Sequence, residues 1–235
     1  MLHVVKLNAG YGELHVLFDV EVESSDRKIT TLVGANGSGK STLLKAVFGL
    51  ATIYSGKILL DDRDLTRIPP HQKARMKMAY LPQVENIFTN LTVQENLKIA
   101  GYALDEASYS DGLELALETF PELKALIGRR ARTLSGGERQ FLAVSTALVR
   151  KAKLLMLDEP TAQLSPKLAD TMFDRIVSLR DHLGLGIILV EQDVRKALGI
   201  GDNAYALVNG GVAFHGKAQE LIEHENFERF CMGVC

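Results

Sequence analysis

A glycine-rich stretch near the start of the chain, GANGSGKST, combines a lysine and hydroxyl side chains at a spacing suited to binding phosphate. Glycines accept positive φ angles, so backbone N–H groups can curl around an anion without a Cβ in the way. The apolar stretch ITTLV precedes this loop, and an apolar helical sequence follows it. That helix would point the free N–H groups of its first turn at the same anion. The order of strand, loop and helix predicts a nucleoside triphosphate site.

The side chains of this loop have distinct predicted roles. Lys40 is expected to reach the β- and γ-phosphates and to act in catalysis, and the Ser41 hydroxyl is expected to ligate Mg²⁺. An ordinary glycine-rich turn is the alternative, but it leaves the complete pattern and its flanking elements unexplained. The predicted nucleotide contacts are Gly34, Ala35, Asn36, Gly37, Ser38, Gly39, Lys40, Ser41 and Thr42.

A second stretch, KLLMLDEP, has the pattern of a buried strand that ends in two carboxylates, Asp158 and Glu159. An aspartate at this position can hold the hydration shell of Mg²⁺. Glu159, one residue further along, is predicted to polarise the attacking water as the catalytic base. The alternative is an acidic pair that only caps the following helix. The phosphate loop elsewhere in the chain favours the catalytic interpretation.

The stretch LSGGERQ separates this chain from the GTPases, kinases and helicases that share the first two motifs. Ser135, Gly136 and Gly137 precede an apolar helix, so they form a second helix N-terminus suited to phosphate. With these motifs the chain resembles the ATP-binding subunits of ABC transporters over essentially all 235 residues. The resemblance implies one α/β nucleotide-binding domain over residues 1–235. It would have a P-loop NTPase core with a parallel sheet, an antiparallel β-subdomain and a helical subdomain inserted at about 84–150.

The resemblance also implies a head-to-tail pair of subunits that enclose two ATP molecules. Each ATP would lie on the phosphate loop of one subunit and beneath a helix start of the other. That helix start is formed by Ser135, Gly136, Gly137 and Glu138. ATP binding would draw the subunits together, and hydrolysis would release them. The implied activity is hydrolysis of ATP, with Mg²⁺ as the cofactor.

Three further positions take their roles from the resemblance. Tyr11, in AGYGE, matches the aromatic residue that stacks on adenine; its alternative is a tyrosine that packs in the β-subdomain. Gln83, in AYLPQVEN, matches the glutamine that contacts Mg²⁺ and the attacking water; its alternative is a surface glutamine after a turn proline. Ser165, in TAQLSP, stands where an aspartate is usual in the segment that crosses to the partner subunit.

Gln192 follows the predicted strand GIILV, in the polar sequence Glu191-Gln192-Asp193 at a strand end where open parallel sheets bind ligands. ABC subunits usually carry a histidine at this position, where it contacts the γ-phosphate. A glutamine can donate an amide N–H to a phosphate oxygen, but it cannot hold or relay a proton near neutral pH. The substitution leaves base chemistry to Glu159 and predicts that Gln192 senses the γ-phosphate.

Five stretches resemble the smaller ATP-binding subunits of branched-chain amino acid importers: GYGELHVLFDV, RDLTRIPPH, IFTNLTVQENL, ETFPELKAL and LVEQD. The resemblance implies an ATPase that powers import of a small solute. Its implied partners are membrane-spanning permease subunits, a second ABC ATPase subunit (the same or a different chain) and, indirectly, a solute-binding protein. The expected location is cytoplasmic, on the inner face of the cell membrane through the permeases. A soluble ABC ATPase in an assembly machine, such as iron–sulfur cluster assembly, is the alternative.

Composition bounds these interpretations. The formal net charge is -2, with 27 basic and 29 acidic residues, so the chain lacks the basic excess typical of nucleic-acid binding. The apolar fraction of 46% is that of a globular protein. Cys231 and Cys235 have no histidine at ligand spacing and are predicted to be reduced thiols rather than a zinc site.

The pattern along the chain also predicts the elements that position these residues. Ser55-Gly56 is expected to open a strand, a helix is expected from about Pro166 to Leu183, and Asn209-Gly210 predicts a hairpin turn. A final prediction concerns a groove for a permease helix, with local packing of the helical subdomain as its alternative. The residues assigned to that groove are Ile87, Phe88, Leu91 and Val93.

Overall fold

The computed structural model describes residues 1–84 and 86–232 of the chain. Its strands are β1 (Leu2–Tyr11), β2 (Leu14–Ser24), β3 (Ile29–Val33), β4 (Thr52–Leu60), β5 (Arg63–Asp64), β6 (Met78–Leu81), β7 (Leu154–Asp158), β8 (Gly186–Val190), β9 (Asn203–Val208) and β10 (Gly211–Lys217). Its α-helices are α1 (Lys40–Phe48), α2 (Pro70–Arg75), α3 (Val93–Ala100), α4 (Glu106–Thr119), α5 (Gly136–Val149), α6 (Pro166–Leu183), α7 (Val194–Ile200), α8 (Ala218–Ile222) and α9 (Phe227–Met232).

The strands form two sheets. A six-stranded sheet has the order β10-β9-β3-β8-β7-β6, and every neighbouring pair in it is parallel except β9 and β10. A four-stranded antiparallel sheet has the order β2-β1-β4-β5. This arrangement confirms the predicted α/β class with a parallel core and an antiparallel β-subdomain.

The central strands explain where polar residues gather. β3, β7 and β8 are buried along their whole length and mainly apolar, as is usual for strands covered on both faces. Because they are parallel, their carboxyl ends lie at one edge of the sheet. The phosphate loop follows β3, Glu159 follows β7, and Gln192 lies beyond β8. The topology therefore brings the three predicted site segments to the same edge.

The antiparallel sheet corrects one predicted boundary. β4 begins at Thr52, so Ser55-Gly56 lies inside the strand and not at its start. The pairing of β1 with β4 shifts register between Val5 and Asn8, opposite this dipeptide. Gly56 has φ +92°, and a Cβ there would lie 2.3 Å from the Lys6 carbonyl oxygen. The glycine is thus required by an irregular strand pairing that local sequence does not reveal.

Two other local predictions are confirmed. Helix α6 runs from Pro166 to Leu183 and ends at Gly184, which adopts φ +66°. Proline in the first turn and a left-handed glycine after the last are the usual signals of helix start and stop. Asn209 and Gly210 have φ +49° and +80° and join β9 to β10, as a tight hairpin requires.

Helices α3, α4 and α5 lie between β6 and β7, within the stretch assigned to an inserted helical subdomain. Their apolar residues belong to the same buried cluster as Leu155 and Leu157 of β7. Val93, assigned to the permease groove, is fully buried in this cluster, so that part of the groove prediction is wrong. Phe88 remains 58% exposed. The division of the chain into subdomains stays a prediction.

Two further findings concern membrane-spanning helices and the cysteines. Among the described residues, no helix combines the length and the apolar character needed to cross a bilayer. Cys231 is a buried free thiol in α9, whereas Cys235 lies outside the described residues.

Candidate nucleotide site

The phosphate loop joins β3 to α1 in a conformation that only glycine accepts at several positions. Gly34, Gly37 and Gly39 have φ values of +146°, +81° and +107°. A Cβ at Gly34 would lie 2.3 Å from the Leu207 carbonyl oxygen, and one at Gly39 would lie 2.7 Å from Leu17 Cδ2. The loop is therefore held tightly against β9 and β2, with its backbone free to approach a ligand closely.

Lys40, the first residue of α1, is buried and folds back over the loop. Its Nζ donates to the carbonyl oxygens of Gly34 at 2.7 Å and Ala35 at 2.9 Å. Burial lowers the pKa of Lys40, while the carboxylates of Glu159 and Asp158 act in the opposite direction. The ammonium thus lies where the predicted phosphates would need a positive charge.

A hydroxyl in the loop supports the fit to a phosphate ligand. Ser38 is buried, and its Oγ has no hydrogen-bond partner among the described residues. Such orphaned polar atoms are uncommon, and a phosphate oxygen bound at this loop would give the Ser38 hydroxyl an acceptor. Gly39, the N-cap of helix α1, provides no side-chain cap, so the first N–H groups of the helix are also available.

The predicted Mg²⁺ ligands Ser41 and Asp158 are in direct contact. Ser41 Oγ donates to Asp158 Oδ1 at 2.9 Å, and Tyr80 OH donates to Asp158 Oδ2 at 3.1 Å. Burial, and then the charge of Asp158, raise the pKa of Tyr80, so the phenol stays a donor. These hydroxyl and carboxylate oxygens are the donors that Mg²⁺ prefers. Sequence reasoning missed Tyr80, because nothing local distinguishes it from a packing tyrosine.

Glu159 is the point where two predicted site residues meet. Gln83 Nε2 and Gln192 Nε2 each donate to Glu159 Oε2 at 2.6 Å. Glu159 itself has φ +53°, an uncommon conformation for a residue with a side chain. Its N–H donates to the Val190 carbonyl oxygen at 2.8 Å, which fixes the backbone at the end of β7. Three segments far apart in sequence thus converge on one carboxylate.

Glu191 is a second carboxylate beside this point that sequence reasoning left without a role. Its side chain is 3% exposed, and its Oε1 accepts from the Thr161 N–H at 2.8 Å. The polar sequence that follows β8 was the signal in the sequence that could have indicated a role for Glu191. With Lys40, Glu159 and Gln192, Glu191 lines a cavity of about 230 Å³ next to the phosphate loop. A larger cavity, of about 600 Å³, is lined by residues of β4, β5 and the segment before α2, and it contains none of the motif residues.

Tyr11 lies beside the phosphate loop. Its hydroxyl is 3.4 Å from Thr42 Oγ1, next to the phosphate loop. Its ring is 40% exposed, and Lys45 Nζ lies 6.0 Å from the ring centroid. A partly exposed aromatic ring beside this loop is able to stack on a base, and the stacking role of Tyr11 stays a prediction.

The LSGGE segment starts α5 at a different place on the surface. Ser135 is exposed and caps the helix: its Oγ accepts from the Glu138 N–H at 3.3 Å, and Glu138 Oε2 accepts from the Ser135 N–H at 2.7 Å. Gly136 lines a cavity with Gln83 and Gln163. The two cavities next to the phosphate loop contain no residue of this segment. Within one chain, the structure therefore does not bring Ser135–Glu138 onto the phosphate loop.

Comparisons with known proteins agree with this geometry. A family model described as "ABC transporter" matches residues 17–162. The chain is 61% identical over 234 residues to the "Probable branched-chain amino acid transport ATP-binding protein LivF" of Archaeoglobus fulgidus, which covers 100% of this chain and 99% of the relative. It is 40% identical over 222 residues to the "High-affinity branched-chain amino acid transport ATP-binding protein BraG" of Pseudomonas aeruginosa, with 94% and 95% covered.

A solved structure supports the fold. The crystal structure of a nucleotide-free ATP-binding cassette from an ABC transporter superposes with a TM-score of 0.88 at 23% identity, and the match covers 100% of this chain and 99% of that one. The soluble assembly module remains less well supported than a transport subunit, because the two full-length relatives are both transport ATP-binding proteins by name. The chain belongs to the ABC transporter family, as an ATP-binding subunit that hydrolyses ATP.

Proposed function

We propose that this ATPase powers the import of branched-chain amino acids, through membrane-spanning permease subunits and a solute-binding protein. The full-length similarity to two transport ATP-binding proteins named for these solutes supports the substrate class. In this proposal the chain lies on the cytoplasmic face of the cell membrane, held there by its permeases, and it binds no nucleic acid.

The convergence of Gln83 and Gln192 on Glu159 carries the catalytic part of the proposal. Both amides donate to Oε2, and no other hydrogen bond to the Glu159 carboxylate is found among the described residues. Oε1 can then accept a proton from water. Water attacks the γ-phosphorus in line, a new P–O bond forms, and the bond to the bridging oxygen breaks as ADP leaves. Glu159 takes the proton that the water loses.

The other residues bind and orient the substrate. Lys40, N–H groups of the phosphate loop and the start of α1 hold the phosphates, and Tyr11 stacks on the adenine. Mg²⁺, which Ser41, Gln83 and Asp158 would hold, neutralises charge on the β- and γ-phosphate oxygens when bound. The Gln192 amide donates to Glu159 Oε2, and it can exchange that bond for one to a γ-phosphate oxygen.

A second subunit completes the site in this proposal. Ser135, Gly136, Gly137 and Glu138 form a helix start away from the phosphate loop of their own chain. Ser135 and Gly136 are exposed, whereas Gly137 is buried. Placed over the phosphate loop of a second ABC subunit, this helix start would face the γ-phosphate. Two copies of this chain, or this chain and a related one, satisfy the geometry equally.

The exposed apolar side chains before α3 are the proposed permease contact. Val84 and Phe88 are 59% and 58% exposed, while Ile87 packs partly against the helical core. They follow Gln83 directly, so a helix seated on them could transmit movement to the site.

Reconstitution tests the proposal. Purified subunit, permeases and solute-binding protein in proteoliposomes should show ATP-dependent uptake of leucine, isoleucine or valine, and a basic amino acid serves as the negative control. Phe88→Lys should uncouple uptake and weaken co-purification with the permeases. Leu183→Lys, at another exposed apolar position, should leave both unchanged. Native complexes that contain only soluble partners would instead support the assembly-module alternative.

A further inference from the structure

Glu191 lies at the junction of two loops. It follows β8 directly and precedes Gln192, yet its side chain points into the protein and is 3% exposed. Its Oε1 accepts from the Thr161 N–H at 2.8 Å, and its Oε2 accepts from the Gln192 N–H at 3.2 Å. One carboxylate therefore bonds the backbone of the loop after β7 and that of the loop after β8.

A buried carboxylate at this position needs an explanation. Desolvation of the charged form is costly unless hydrogen bonds or a cation offset it. No ion pair with Glu191 is found in the described part of the chain, so two backbone N–H groups are its partners. Burial raises the pKa of Glu191, and the nearby charge of Glu159 acts in the same direction. An apolar residue would avoid this cost, but it would leave the Thr161 N–H without an acceptor.

The backbone geometry shows why that acceptor is needed. The pairing of β7 with β8 continues to the Glu159 N–H, which donates to the Val190 carbonyl oxygen. The positive φ of Glu159 then turns the chain away from the sheet, and the Ala162 N–H donates back to the Glu159 carbonyl oxygen at 3.1 Å. The Thr161 N–H, inside this turn, points towards the end of β8. Glu191 supplies the oxygen that the strand backbone no longer provides.

These contacts form a closed ring. Glu159 leads through the backbone to Thr161, Thr161 bonds Glu191, Glu191 precedes Gln192, and the Gln192 amide returns to Glu159 Oε2. A ring of this kind leaves few alternative positions for the Glu159 carboxylate. Removing one member loosens the geometry of the others, because each is held through its neighbours.

We propose that Glu191 is a positioning residue that ties the loop carrying Glu159 to the loop carrying Gln192, and so orients Glu159 for proton transfer. Glu191 acts through the backbone and does not touch ATP. The tie also holds Thr161, the first residue of the TAQLSP segment, and therefore links that segment to the γ-phosphate sensor. The inference rests on the proposed roles of Glu159 and Gln192.

The first measurement uses Glu191→Gln. This variant keeps the shape of the side chain but replaces one of the two accepting carboxylate oxygens with an NH₂ group, which cannot accept from a backbone N–H. We expect kcat for ATP hydrolysis to fall about tenfold, with KM and the affinity for a fluorescent ATP analogue within about twofold of the parent. Asp193→Asn is the matched control: this exposed carboxylate, two positions further on, bonds the Lys196 N–H and makes no contact with the ring. It should keep parental kcat. A parental kcat in Glu191→Gln, or a raised KM with kcat unchanged, overturns the proposal.

The second measurement asks whether Glu191 acts through Gln192. Gln192→Ala alone should lower kcat about tenfold with little change in nucleotide affinity, because it removes one bond to Glu159. Adding Glu191→Gln to Gln192→Ala should then lower kcat by no more than about a further twofold, since residues in one network are not additive. Two independent, multiplicative losses would contradict the ring.

Two controls keep the outcomes separate. Thermal unfolding checks that the Glu191→Gln variant is folded. If Glu191→Gln is unfolded, Glu191→Asp replaces it, because the shorter side chain reaches only one of the two N–H groups. The same kinetic criteria then apply to the aspartate variant. Glu159→Gln is assayed in parallel: a parental rate there defeats the catalytic assignment itself, whereas an inactive Glu159→Gln beside a parental Glu191→Gln defeats only the tie.

Discussion

The two helix starts that are predicted to bind phosphate are built differently. Helix α1 begins at Lys40, after the N-cap Gly39 and without a side-chain cap, in a loop that lies close against β2 and β9. Helix α5 has the surface residue Ser135 as its N-cap, and a reciprocal pair of hydrogen bonds satisfies the N–H groups of Ser135 and Glu138. The first helix leaves its donors available for a ligand, whereas the second satisfies two of its N–H groups with its own side chains.

This difference shows how a site can be divided between two subunits. A loop that binds the phosphates at all times can remain uncapped, because the ligand supplies the missing acceptors. A helix start that meets the ligand only on association must be stable alone, so it needs its own cap. The Ser135 hydroxyl accepts from the Glu138 N–H and keeps its own hydrogen to donate, so capping does not prevent it from binding a γ-phosphate oxygen.

The largest expected effect comes from the half of the site that is complete within one chain. Glu159→Gln removes the base but keeps the shape of the side chain, so we expect kcat for ATP hydrolysis to fall about a thousandfold. ATP should still bind, and an ATP-bound dimer should accumulate. Phosphate release and light scattering after size-exclusion chromatography measure the two consequences. Asp193→Asn is the control for the loss of a nearby carboxylate.

A smaller effect tests whether the helix start at Ser135 acts on the ATP bound by a second subunit. Lys40→Ala disables the phosphate loop, and Ser135→Arg places bulk at the exposed helix start, so each alone should lower hydrolysis about a hundredfold. In a mixed dimer both defects fall on one site, and the other site is intact. Random pairing of equal amounts should therefore restore roughly a quarter of the parental rate.

The absence of any recovery on mixing, with both variants folded and able to pair, would contradict the division of the site between subunits. Ser135→Arg also removes the cap of α5, which costs about 1 kcal/mol of stability. Ser135→Gly should retain most of that stability, since glycine is a tolerated cap, and it separates the loss of the hydroxyl from the loss of the helix start.

The sequence was sufficient for the parts of the site that local patterns encode. The phosphate loop, the strand ending in Asp158 and Glu159, and helix α6 each depend on neighbouring residues, and the sequence placed them correctly. Glu191 and Tyr80 were missed because their roles come from partners 30 and 78 positions away. The start of β4 was predicted wrongly for the same reason. Gly56 is required by an irregularity in the pairing of β1 with β4, which local sequence does not contain.

The smallest effect concerns how α1 is held at its other end. Lys73 is fully buried, and its Nζ donates to the Val47 carbonyl oxygen in the last turn of α1 at 2.7 Å. Helix α5 ends instead near Arg150, whose Nε donates to the Ala100 carbonyl oxygen from a partly buried position. A charged lysine in the interior is costly, and burial lowers the pKa of Lys73 to about 8 while Asp64 acts in the opposite direction.

This lowered pKa gives a pH dependence with a definite sign. The folded state releases the Lys73 proton near pH 8, whereas the unfolded chain keeps it to about pH 10.5, so the unfolded chain binds more protons between these values. Stability must rise with pH in that window. Relative to Lys73→Met, the parental free energy of unfolding should increase by about 2 kcal/mol between about pH 7.5 and 9.5, as measured by urea denaturation. Lys98→Met, at an exposed position on α3, is the control and should show no such difference.

Parallel pH curves for the parent and Lys73→Met would mean that Lys73 is not desolvated at the end of α1. In that case α1 would differ from α5 only at its start, in the phosphate loop, and not at its end.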